Sequence, residues 1–564
     1  MKLSRFAMIG LLLAISVFVA QSAQAALFAP PAPNGAVGIQ ARTANVAPAQ
    51  AAKAQLLPVP PVLSPEQAAW IEEVRESHPL PMPPLPEGKT AVQRLDSNPD
   101  PSTATNPPSL LSGQSPQSPT APGDFTVFRN STMGSTINSQ TSRTTEPTFA
   151  NSGHIVFGTG NWYAALSTDG GQTFSYLNPY TTFPASFGGF CCDQIVVYDP
   201  SRDIFLWFLQ YVSSGPAGSG QNIFRLAAAR PQDAAAGNWW YYDFISAINT
   251  EWDYPDMCLS NDYVWITTNR GPYAGTFVND AWMFKMPLDP ISAGAAFSYS
   301  FLDLGSVPLS NLSLRCTRGA WETMYFGSHN TLSQVRIFRW AEDSGTIFWD
   351  DVNLSAAWFN PTHSCPGPDG RNWCGFDDGR IKAGWVSRDR IGFLWGSAQG
   401  GGFTWPYVEA VRVRESDRAY LDRPYVWSSG IAYAYPAAAP NARGDVGVGL
   451  FYGSGSIHPS FAVGVDDDFS RAAGYTPPPW YLGYGVSGTT GPNVNRWGDY
   501  ISVQPFAPTS LGWTAAGFTL QGTGGSGSSV PRYVIFGRER DLRSVTRYYN
   551  NPVFGAYLPV ILKQ

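Results

Sequence analysis

The chain has 564 residues, a formal net charge of −6 and a sequence pI near 5.5. It has no lysine and arginine block of the kind that binds a phosphate backbone, so we expect no nucleic-acid partner. Aromatic residues make up 14% of the chain and charged residues also 14%, which is low against the roughly 25% of charged residues in ordinary domains. We expect most aromatic side chains to fill β cores and a minority to suit sugar faces.

The first 25 residues have the parts of a secretory signal. Lys2 and Arg5 precede an apolar run from Phe6 to Ala20, and residues 23–25 read Ala-Gln-Ala, an A-x-A cleavage site. No stretch of the chain reaches the roughly 18 uninterrupted apolar residues that a membrane span needs. We therefore predict a signal peptide over residues 1–25 and a secreted or extracytoplasmic protein without a membrane span.

Residues 26–123 are rich in Pro, Ala, Ser and Gln and almost free of aromatic residues. Such a segment buries too little apolar surface to offset the entropy lost on ordering. The composition predicts a linker or propeptide that is largely disordered. It precedes a single domain over residues 124–564.

After residue 123, short β-branched and aromatic runs alternate with Gly, Asn, Asp and Pro turns, and no helical period persists. A unit of strand, tight polar turn and strand recurs, as in residues 195–211, 257–269 and 383–398. Radial repetition of such units makes a β-propeller. The sequence predicts an all-β propeller of seven blades, with six blades and a pair of β-sandwiches as alternatives. The seven units start near Glu146, Asp193, Asp256, Arg315, Arg380, Tyr435 and Arg496.

Residues 167–174, Ser-Thr-Asp-Gly-Gly-Gln-Thr-Phe, match the pattern S-x-D-x-G-x-T-F/W. In this motif the chain resembles the Asp-box (BNR-repeat) β-propellers of the sialidase, or neuraminidase, superfamily. An aspartate in such a turn accepts backbone N–H bonds, and the glycines tolerate positive φ. In that family the motif lies at the blade periphery, so the resemblance implies a fold rather than catalytic residues. The residues that carry it are Ser167, Asp169, Gly171, Thr173 and Phe174.

The innermost strand of each propeller blade begins at one face of the central channel, so the residues that open the units should converge on a common funnel. A glycosidase site needs two carboxyl groups in different roles. Glu146, Asp193 and Asp256 are the candidate catalytic carboxyl groups. The polar residues at the unit starts are Glu146, Asp193, Asp253, Asp256, Arg315, Arg318, Asp378, Arg380, Tyr435, Arg496 and Asp499.

The resemblance to sialidases implies a variant of this chemistry, in which several arginines bind a substrate carboxylate and a tyrosine activated by an acid is the nucleophile. Arg315, Arg380 and Arg496 are the candidate clamp, and Tyr435 is the candidate nucleophile. Arg318, Asp378 and Asp499 complete the predicted substrate-binding set. The structural alternative is an ion-pair network that locks neighbouring blades together.

The leading functional hypothesis is a sialidase-like glycoside hydrolase that acts as a monomer on a glycan or glycoconjugate. One alternative is a noncatalytic extracellular binding propeller. Another is a polysaccharide lyase, with a Tyr or His base beside an Arg-neutralised uronate. Histidines lack zinc-site spacing, so no metal or cofactor is expected, although residues 466–468, Asp-Asp-Asp, are compatible with a structural calcium ion or a solvated acidic loop.

Six cysteines in an exported chain are expected to form disulfides. Cys365 and Cys374 bracket a Pro/Gly/Asp loop and should pair locally. The other four are open to two solutions: a vicinal pair with the remaining two joined to each other, or a bridge from one of the vicinal pair to the next blade. A soft-metal site is a third possibility. These four are Cys191, Cys192, Cys258 and Cys316.

Overall fold

A computed structural model of the protein describes residues 38–62, 64, 66, 67, 125–133, 145–213, 220–248, 250–271, 280–306, 313–354, 358, 363–400, 402–468, 480–492, 497–522, 528–541 and 545. The predicted signal peptide, much of the predicted linker and the candidate Arg496 lie outside these ranges. Within them, no helix combines the length and the apolar character needed to cross a membrane.

The described chain is built almost wholly from β-strands. In chain order they are β1 (Ile39–Gln40), β2 (Arg42–Val46), β3 (Gln50–Lys53), β4 (Phe125–Thr132), β5 (Thr148–Ser152), β6 (Ile155–Thr159), β7 (Ala164–Ser167), β8 (Ser175–Leu177), β9 (Phe190–Asp199), β10 (Ile204–Tyr211), β11 (Ile223–Ala229), β12 (Asn238–Ile245), β13 (Glu251–Leu259), β14 (Tyr263–Gly271), β15 (Ala281–Pro287), β16 (Phe297–Asp303), β17 (Arg315–Arg318), β18 (Thr323–Thr331), β19 (Gln334–Ala341), β20 (Thr346–Asn353), β21 (Ile381–Val386), β22 (Arg390–Ser397), β23 (Tyr407–Arg414), β24 (Tyr420–Asp422), β25 (Tyr425–Val426), β26 (Ala432–Pro440), β27 (Val446–Ser454), β28 (Ile457–Asp466), β29 (Tyr481–Val486), β30 (Ser502–Pro505), β31 (Trp513–Gln521) and β32 (Ser528–Arg538). Short helices and 3₁₀ turns connect some of them: α1 (Pro179–Thr182), α2 (Pro231–Ala235), α3 (Leu288–Ser292), Leu304–Ser306 and Glu539–Asp541.

Within the described residues the strands form seven antiparallel units of four strands each. Unit 1 is β5–β8, unit 2 is β9–β12, unit 3 is β13–β16, unit 4 is β17–β20, unit 5 is β21–β24, unit 6 is β26–β29, and unit 7 is β30–β32 completed by β4. A parallel pairing of β17 with β21 joins units 4 and 5 into one larger sheet. The three hairpins quoted from the sequence are confirmed as the first two strands of units 2, 3 and 5.

The units are arranged in a ring. The first strands of consecutive units lie side by side, and β30 of unit 7 lies beside β5 of unit 1. Apolar side chains fill the space between neighbours; at the closing junction, Phe149 and Val156 of unit 1 pack with Tyr533 and Ile535 of unit 7. Because each unit is covered on both faces, a strand such as β10 is buried along its whole length. This radial arrangement is a propeller-type architecture.

The predicted unit starts lie close to the first strands. Arg315 opens β17, Asp193 lies in β9, and Asp256 lies in β13. Polar residues ahead of a long apolar hairpin therefore mark the beginning of an inner strand in this chain. The remaining starts in the described ranges are Glu146 just before β5, Arg380 just before β21 and Tyr435 within β26.

Part of the predicted linker is ordered. β1 pairs with β20 of unit 4, β2 with β16 of unit 3, and β3 with β12 of unit 2. Leu57 adds a bridge to Tyr176 of unit 1. Residues 39–57 are therefore an ordered part of the segment predicted to be largely disordered. These residues need little core of their own, because they add backbone hydrogen bonds and small side chains to existing strand edges.

All six cysteines are paired, as Cys191 with Cys192, Cys258 with Cys316 and Cys365 with Cys374. The predicted local bridge is confirmed, and of the two open solutions the structure has the vicinal one. The sulfur atoms near Asp256 belong to a disulfide, so they are not thiolate ligands for a soft metal. Complete pairing is typical of chains in an oxidising compartment.

The turn between β7 and β8 has the predicted hydrogen bonding. The Asp169 carboxylate accepts the backbone N–H of Thr173 at 2.9 Å and its hydroxyl at 2.6 Å. The Ser167 hydroxyl accepts the backbone N–H of Gly171 at 2.9 Å, and Gly171 has a φ of 81°. Phe174 packs against the apolar cluster between units 7 and 1. The motif thus stabilises an outer hairpin of unit 1.

Candidate functional site

Side chains from all seven first strands meet on the axis of the ring. A cavity of about 20 Å³ lies there, which is room for about one water molecule. The ladders of β13, β21 and β26 each contain a shift of register near their beginnings. Such bulges re-aim side chains and are frequent beside active sites. The cavity wall includes one residue from each unit in turn: Thr148, Ile195, Asp256, Arg315, Lys382, Ala437 and Ser502.

Tyr254 lies at the bulge of β13. Its φ of 54° is in the left-handed region, which is rare for an aromatic residue. Pro255 follows it and has no N–H to donate to a ladder. The side chain is almost fully buried, at 1% exposure. A strained backbone conformation of this kind is retained where the surroundings fix it, and such positions cluster at functional sites.

Three cations surround the Tyr254 ring. The guanidinium carbons of Arg315 and Arg380 each lie 4.0 Å from the ring centroid. The Lys382 ammonium donates to the Tyr254 hydroxyl at 3.5 Å. Stacking of this type is a cation–π interaction, and it holds both guanidiniums against one ring. Any negative charge that develops on the hydroxyl oxygen during a reaction faces positive charge from three side chains.

Arg315 is buried but incompletely hydrogen-bonded. It is 2% exposed, and its Nη1 donates to the carbonyl oxygen of Pro255 at 2.8 Å. Its Nε and Nη2 have no hydrogen-bond partner among the described residues. The cavity beside Arg315 has room for about one water molecule, which could accept a hydrogen bond from these donors.

Asp378 holds two of the cations in place. Its carboxylate lies 2.6 Å from Arg380 Nε and 3.3 Å from Lys382 Nζ. Burial alone would raise its pKa, but Arg380 and Lys382 hold the pKa of Asp378 well below its usual range. Asp378 is therefore ionised over the whole ordinary pH range and cannot be a proton donor. Asp378 was predicted to bind substrate, and its contacts are those of a residue that positions Arg380 and Lys382.

Asp253 is the carboxyl group next to Tyr254 in the chain. Burial raises the pKa of Asp253, and the neighbouring carboxylate of Asp499 raises it further, although Gln210 donates a 2.8 Å hydrogen bond to it. Part of the residue remains exposed. A carboxyl group that has a raised pKa and stays partly exposed is the type of group that serves as a general acid.

Asp256 does not suit the role of a proton donor. Its carboxylate binds Arg318 through both oxygens, at 2.9 and 3.4 Å, and also accepts the backbone N–H of Cys316. Burial alone would raise its pKa, but Arg318 and Arg315 hold the pKa of Asp256 below its usual range. The pair Asp256–Arg318 links the first strands of units 3 and 4. It is the ion-pair lock that the sequence offered as the structural alternative.

Glu146 and Asp499 are tied together at the junction of units 1 and 7. The carboxylate of Glu146 accepts the backbone N–H of Asp499 at 2.7 Å and the side-chain N–H of Asn161 at 2.8 Å. Burial raises the pKa of Tyr500 well above its usual value, and the carboxylates of Asp193 and Glu146 add to this. Tyr500 therefore remains protonated, and its ring lies 6.3 Å from that of Tyr254.

Tyr435 occupies the corresponding bulge of β26, with a φ of 52° and Pro436 after it. Its hydroxyl donates to the carbonyl oxygen of Trp373 at 3.4 Å. Burial and the nearby carboxylates, Asp377 first among them, raise the pKa of Tyr435 well above its usual value. These surroundings contradict the prediction that Tyr435 is an activated nucleophile.

Asp377 was not predicted from the sequence. It is fully buried, and its carboxyl group accepts the backbone N–H of Tyr435 at 3.1 Å. Lys382 Nζ lies 3.9 Å and His363 Nδ1 lies 3.8 Å from its oxygens. Burial raises the pKa of Asp377 to about 7 and lowers the pKa of His363 to about 3. The interior side of the site thus holds a carboxyl group that changes charge near neutral pH.

The structure brings most of the predicted polar residues to one axis but changes their order of importance. Arg315 and Arg380 approach one another through a shared tyrosine, while Arg496 lies outside the described ranges. The sequence offered one signal for that tyrosine, a Tyr-Pro pair near the start of an inner strand that also occurs at Tyr435. The site residues missed by the sequence reasoning are Tyr254, His363, Asp377, Lys382 and Tyr500.

Neither family models nor curated protein sequences gave a match to this chain. Among solved structures, an α-L-arabinofuranosidase of Fusarium graminearum is 10% identical and covers 74% of this chain and 99% of its own, with a TM-score of 0.35. An α-L-arabinanase of Penicillium chrysogenum is 11% identical and covers 72% and 98%, with a TM-score of 0.34. The Dos1 propeller is 8% identical and covers 68% and 76%, with a TM-score of 0.32. Because these TM-scores are low, the conclusions about the fold and the site depend on the strand pairing and side-chain contacts described above and not on these similarities.

Proposed function

We propose that the chain is a secreted glycoside hydrolase whose seven units are the blades of one closed propeller and whose central funnel cleaves glycans. The contact between β30 and β5 supports the seven-blade count. The turn over residues 167–174 supports an Asp-box, sialidase-like relationship, since its hydrogen bonds are those the motif requires. The signal-like N-terminus and the three disulfides support secretion.

The clamped tyrosine supports this function most directly. Two guanidiniums lie over the Tyr254 ring, an ammonium lies at its hydroxyl, and one guanidinium has two unmet donors. The adjoining cavity has room for about one water molecule, so a substrate carboxylate would satisfy both donors, in the bidentate geometry that arginine favours, only after the first strands move apart to admit it.

The chemistry divides between two adjacent residues. Tyr254 is the nucleophile, and the charge that develops on its oxygen is stabilised by Arg315, Arg380 and Lys382. Asp253, with its raised pKa, donates its proton to the leaving glycosidic oxygen and takes up the proton that the Tyr254 hydroxyl loses as it attacks. A water molecule then hydrolyses the glycosyl-tyrosine bond and restores both groups.

The same clamp favours a second candidate function, elimination by a polysaccharide lyase. In that reaction Tyr254 would remove the proton next to a uronate carboxylate that Arg315 neutralises, the glycosidic C–O bond on the next carbon would break, and Asp253 would protonate the leaving oxygen. The two reactions differ in their products, because elimination creates an unsaturated sugar that absorbs ultraviolet light and hydrolysis does not.

The test is a screen of the full-length secreted protein against sialosides, uronate polysaccharides and arabinan, with reducing ends and ultraviolet absorbance both measured. Hydrolysis predicts new reducing ends without absorbance. Reducing ends that appear together with absorbance would assign the lyase reaction instead. Glycan binding without either signal would contradict catalysis and leave the noncatalytic binding propeller.

A further inference from the structure

An N-terminal segment runs along the outside of the ring. We call residues 38–57 the strap. Its strands β1, β2 and β3 add to the fourth strands of units 4, 3 and 2 in turn, and Leu57 reaches unit 1. The strap therefore crosses four consecutive units in the order opposite to the chain. Each addition supplies backbone hydrogen bonds to a strand edge that would otherwise be unpaired.

One contact repeats along the strap. An alanine N–H donates to the carbonyl oxygen of the glycine that precedes the fourth strand of a unit. This occurs at units 4, 3 and 2, so the strap is matched to the spacing of the units and not merely to one edge. The three bonds are Ala41 to Gly345 at 2.8 Å, Ala49 to Gly294 at 3.0 Å and Ala54 to Gly237 at 2.8 Å.

We call the outer edges of units 1 to 4, to which the strap pairs, the rim. At the contact between Ala54 and Gly237 there is space for small residues alone. Gly237 has a φ of 79°, and a β-carbon at this position would lie 2.5 Å from the Ala54 carbonyl oxygen. Ala54 itself is 3% exposed and belongs to the apolar cluster between units 1 and 2. An alanine on one side and a glycine on the other therefore fix how closely the backbones approach.

Polar side chains add to the fit. Lys53 Nζ donates to the Ala236 carbonyl oxygen at 2.6 Å and to Asn238 Oδ1 at 2.8 Å. The Tyr241 hydroxyl donates to Gln50 Oε1 at 2.8 Å. These bonds hold β3 in a single register on unit 2, since a shift of one residue would turn every side chain to the opposite face.

The strap and β4 are separated in the chain by residues 58–124, a length rich in Pro and Ser. The tether adds effective concentration, whereas the contacts above supply the affinity. We propose that the strap stays bound to the rim as a separate peptide when the chain is cut between residues 68 and 124. The rim of units 1 to 4 is then a binding surface for an extended, alanine-rich segment, and a processed protein is an assembly of two chains.

The experiment inserts a recognition site for a sequence-specific protease after Gly113 in the full-length protein. After cleavage, native size-exclusion chromatography and intact-mass analysis measure how much N-terminal fragment remains with the domain. We expect near-complete co-elution at one fragment per domain. Separation of the fragment, with or without aggregation of the domain, would overturn the proposal.

Matched double variants test whether the strap contacts cause retention. Ala49→Asp with Ala54→Asp places charge at two of the three alanines that donate to the rim glycines. Ala47→Asp with Ala51→Asp makes the same change in charge at exposed positions. We expect the first variant to lose the fragment on cleavage and the second to keep it. Equal retention by both variants would show that other residues hold the fragment and would overturn the assignment to the strap.

Discussion

Two tyrosines occupy equivalent positions in this structure, but the charged side chains around them differ. Tyr254 and Tyr435 both have left-handed backbone, both precede proline and both lie at a bulge of an inner strand. Two guanidiniums lie over the Tyr254 ring, whereas burial, together with Asp377 and other carboxylates, raises the pKa of Tyr435. A Tyr-Pro pair near the start of an inner strand therefore predicts a left-handed residue at a bulge. The charged side chains of neighbouring units determine the chemistry of the tyrosine hydroxyl.

Asp377 gives a prediction in pH dependence. Its pKa is about 7 in the folded protein, against an ordinary 3.8. Between about pH 4 and about pH 7, Asp377 is therefore protonated in the folded state and ionised in the unfolded state. Over this range the free energy of unfolding falls by up to about 1.4 kcal/mol per pH unit, because loss of the proton favours the unfolded state. Asp377→Asn should remove that decline from the free energy of unfolding, measured by denaturant titration. The exposed Asp417→Asn is the control, and an unchanged decline in Asp377→Asn would contradict the buried environment.

The sequence was most informative about which carboxylates and arginines reach the axis. Asp193, Asp253, Arg315 and Arg380 were found because polar residues directly ahead of apolar hairpins are few. Their roles were not predictable, because each role depends on a partner from another unit. Asp256 is one example: its pairing with Arg318 across two first strands makes it a lock and not an acid.

At the level of elements, the hairpins were predictable and the strap was not. Alternating apolar runs and Asp/Gly turns specify a hairpin locally, as in residues 195–211, where the Asp199 carboxylate accepts the backbone N–H of Ser201. The strap has no such pattern, because its order comes from edges formed much later in the chain. Composition alone therefore assigns such a segment to a linker.

The disulfides give a prediction at the same scale. Cys258 and Cys316 are 58 residues apart and join the first strands of units 3 and 4, whereas Cys365 and Cys374 are 9 apart and close one loop. On the chain-entropy account, replacing both Cys258 and Cys316 by serine should lower the free energy of unfolding by about 4 kcal/mol. Replacing both Cys365 and Cys374 by serine should lower it by about 3 kcal/mol. Denaturant unfolding of both variants measures the difference. A larger loss from the short loop would contradict the view that the first bridge locks neighbouring units.

For the whole molecule, the repeat spacing predicts a ring of seven units because each hairpin needs neighbours to bury both faces. The way in which unit 7 obtains its fourth strand was not predictable. It depends on β4, an N-terminal strand that pairs with β32 and so completes unit 7 with residues from the opposite end of the domain. Such a pairing leaves no local pattern, since the two partners are separated by almost the entire domain.

The most direct test of the proposed function compares the wild-type protein with Tyr254→Phe for release of reducing ends from the glycan on which the wild type is most active. Tyr299→Phe, on the outer strand of the same unit, is the matched control. Loss of a nucleophile should lower kcat/KM at least about a hundredfold, with the control near the wild-type rate. Equal activity of Tyr254→Phe and the wild type would contradict the assignment of catalysis to the clamped tyrosine.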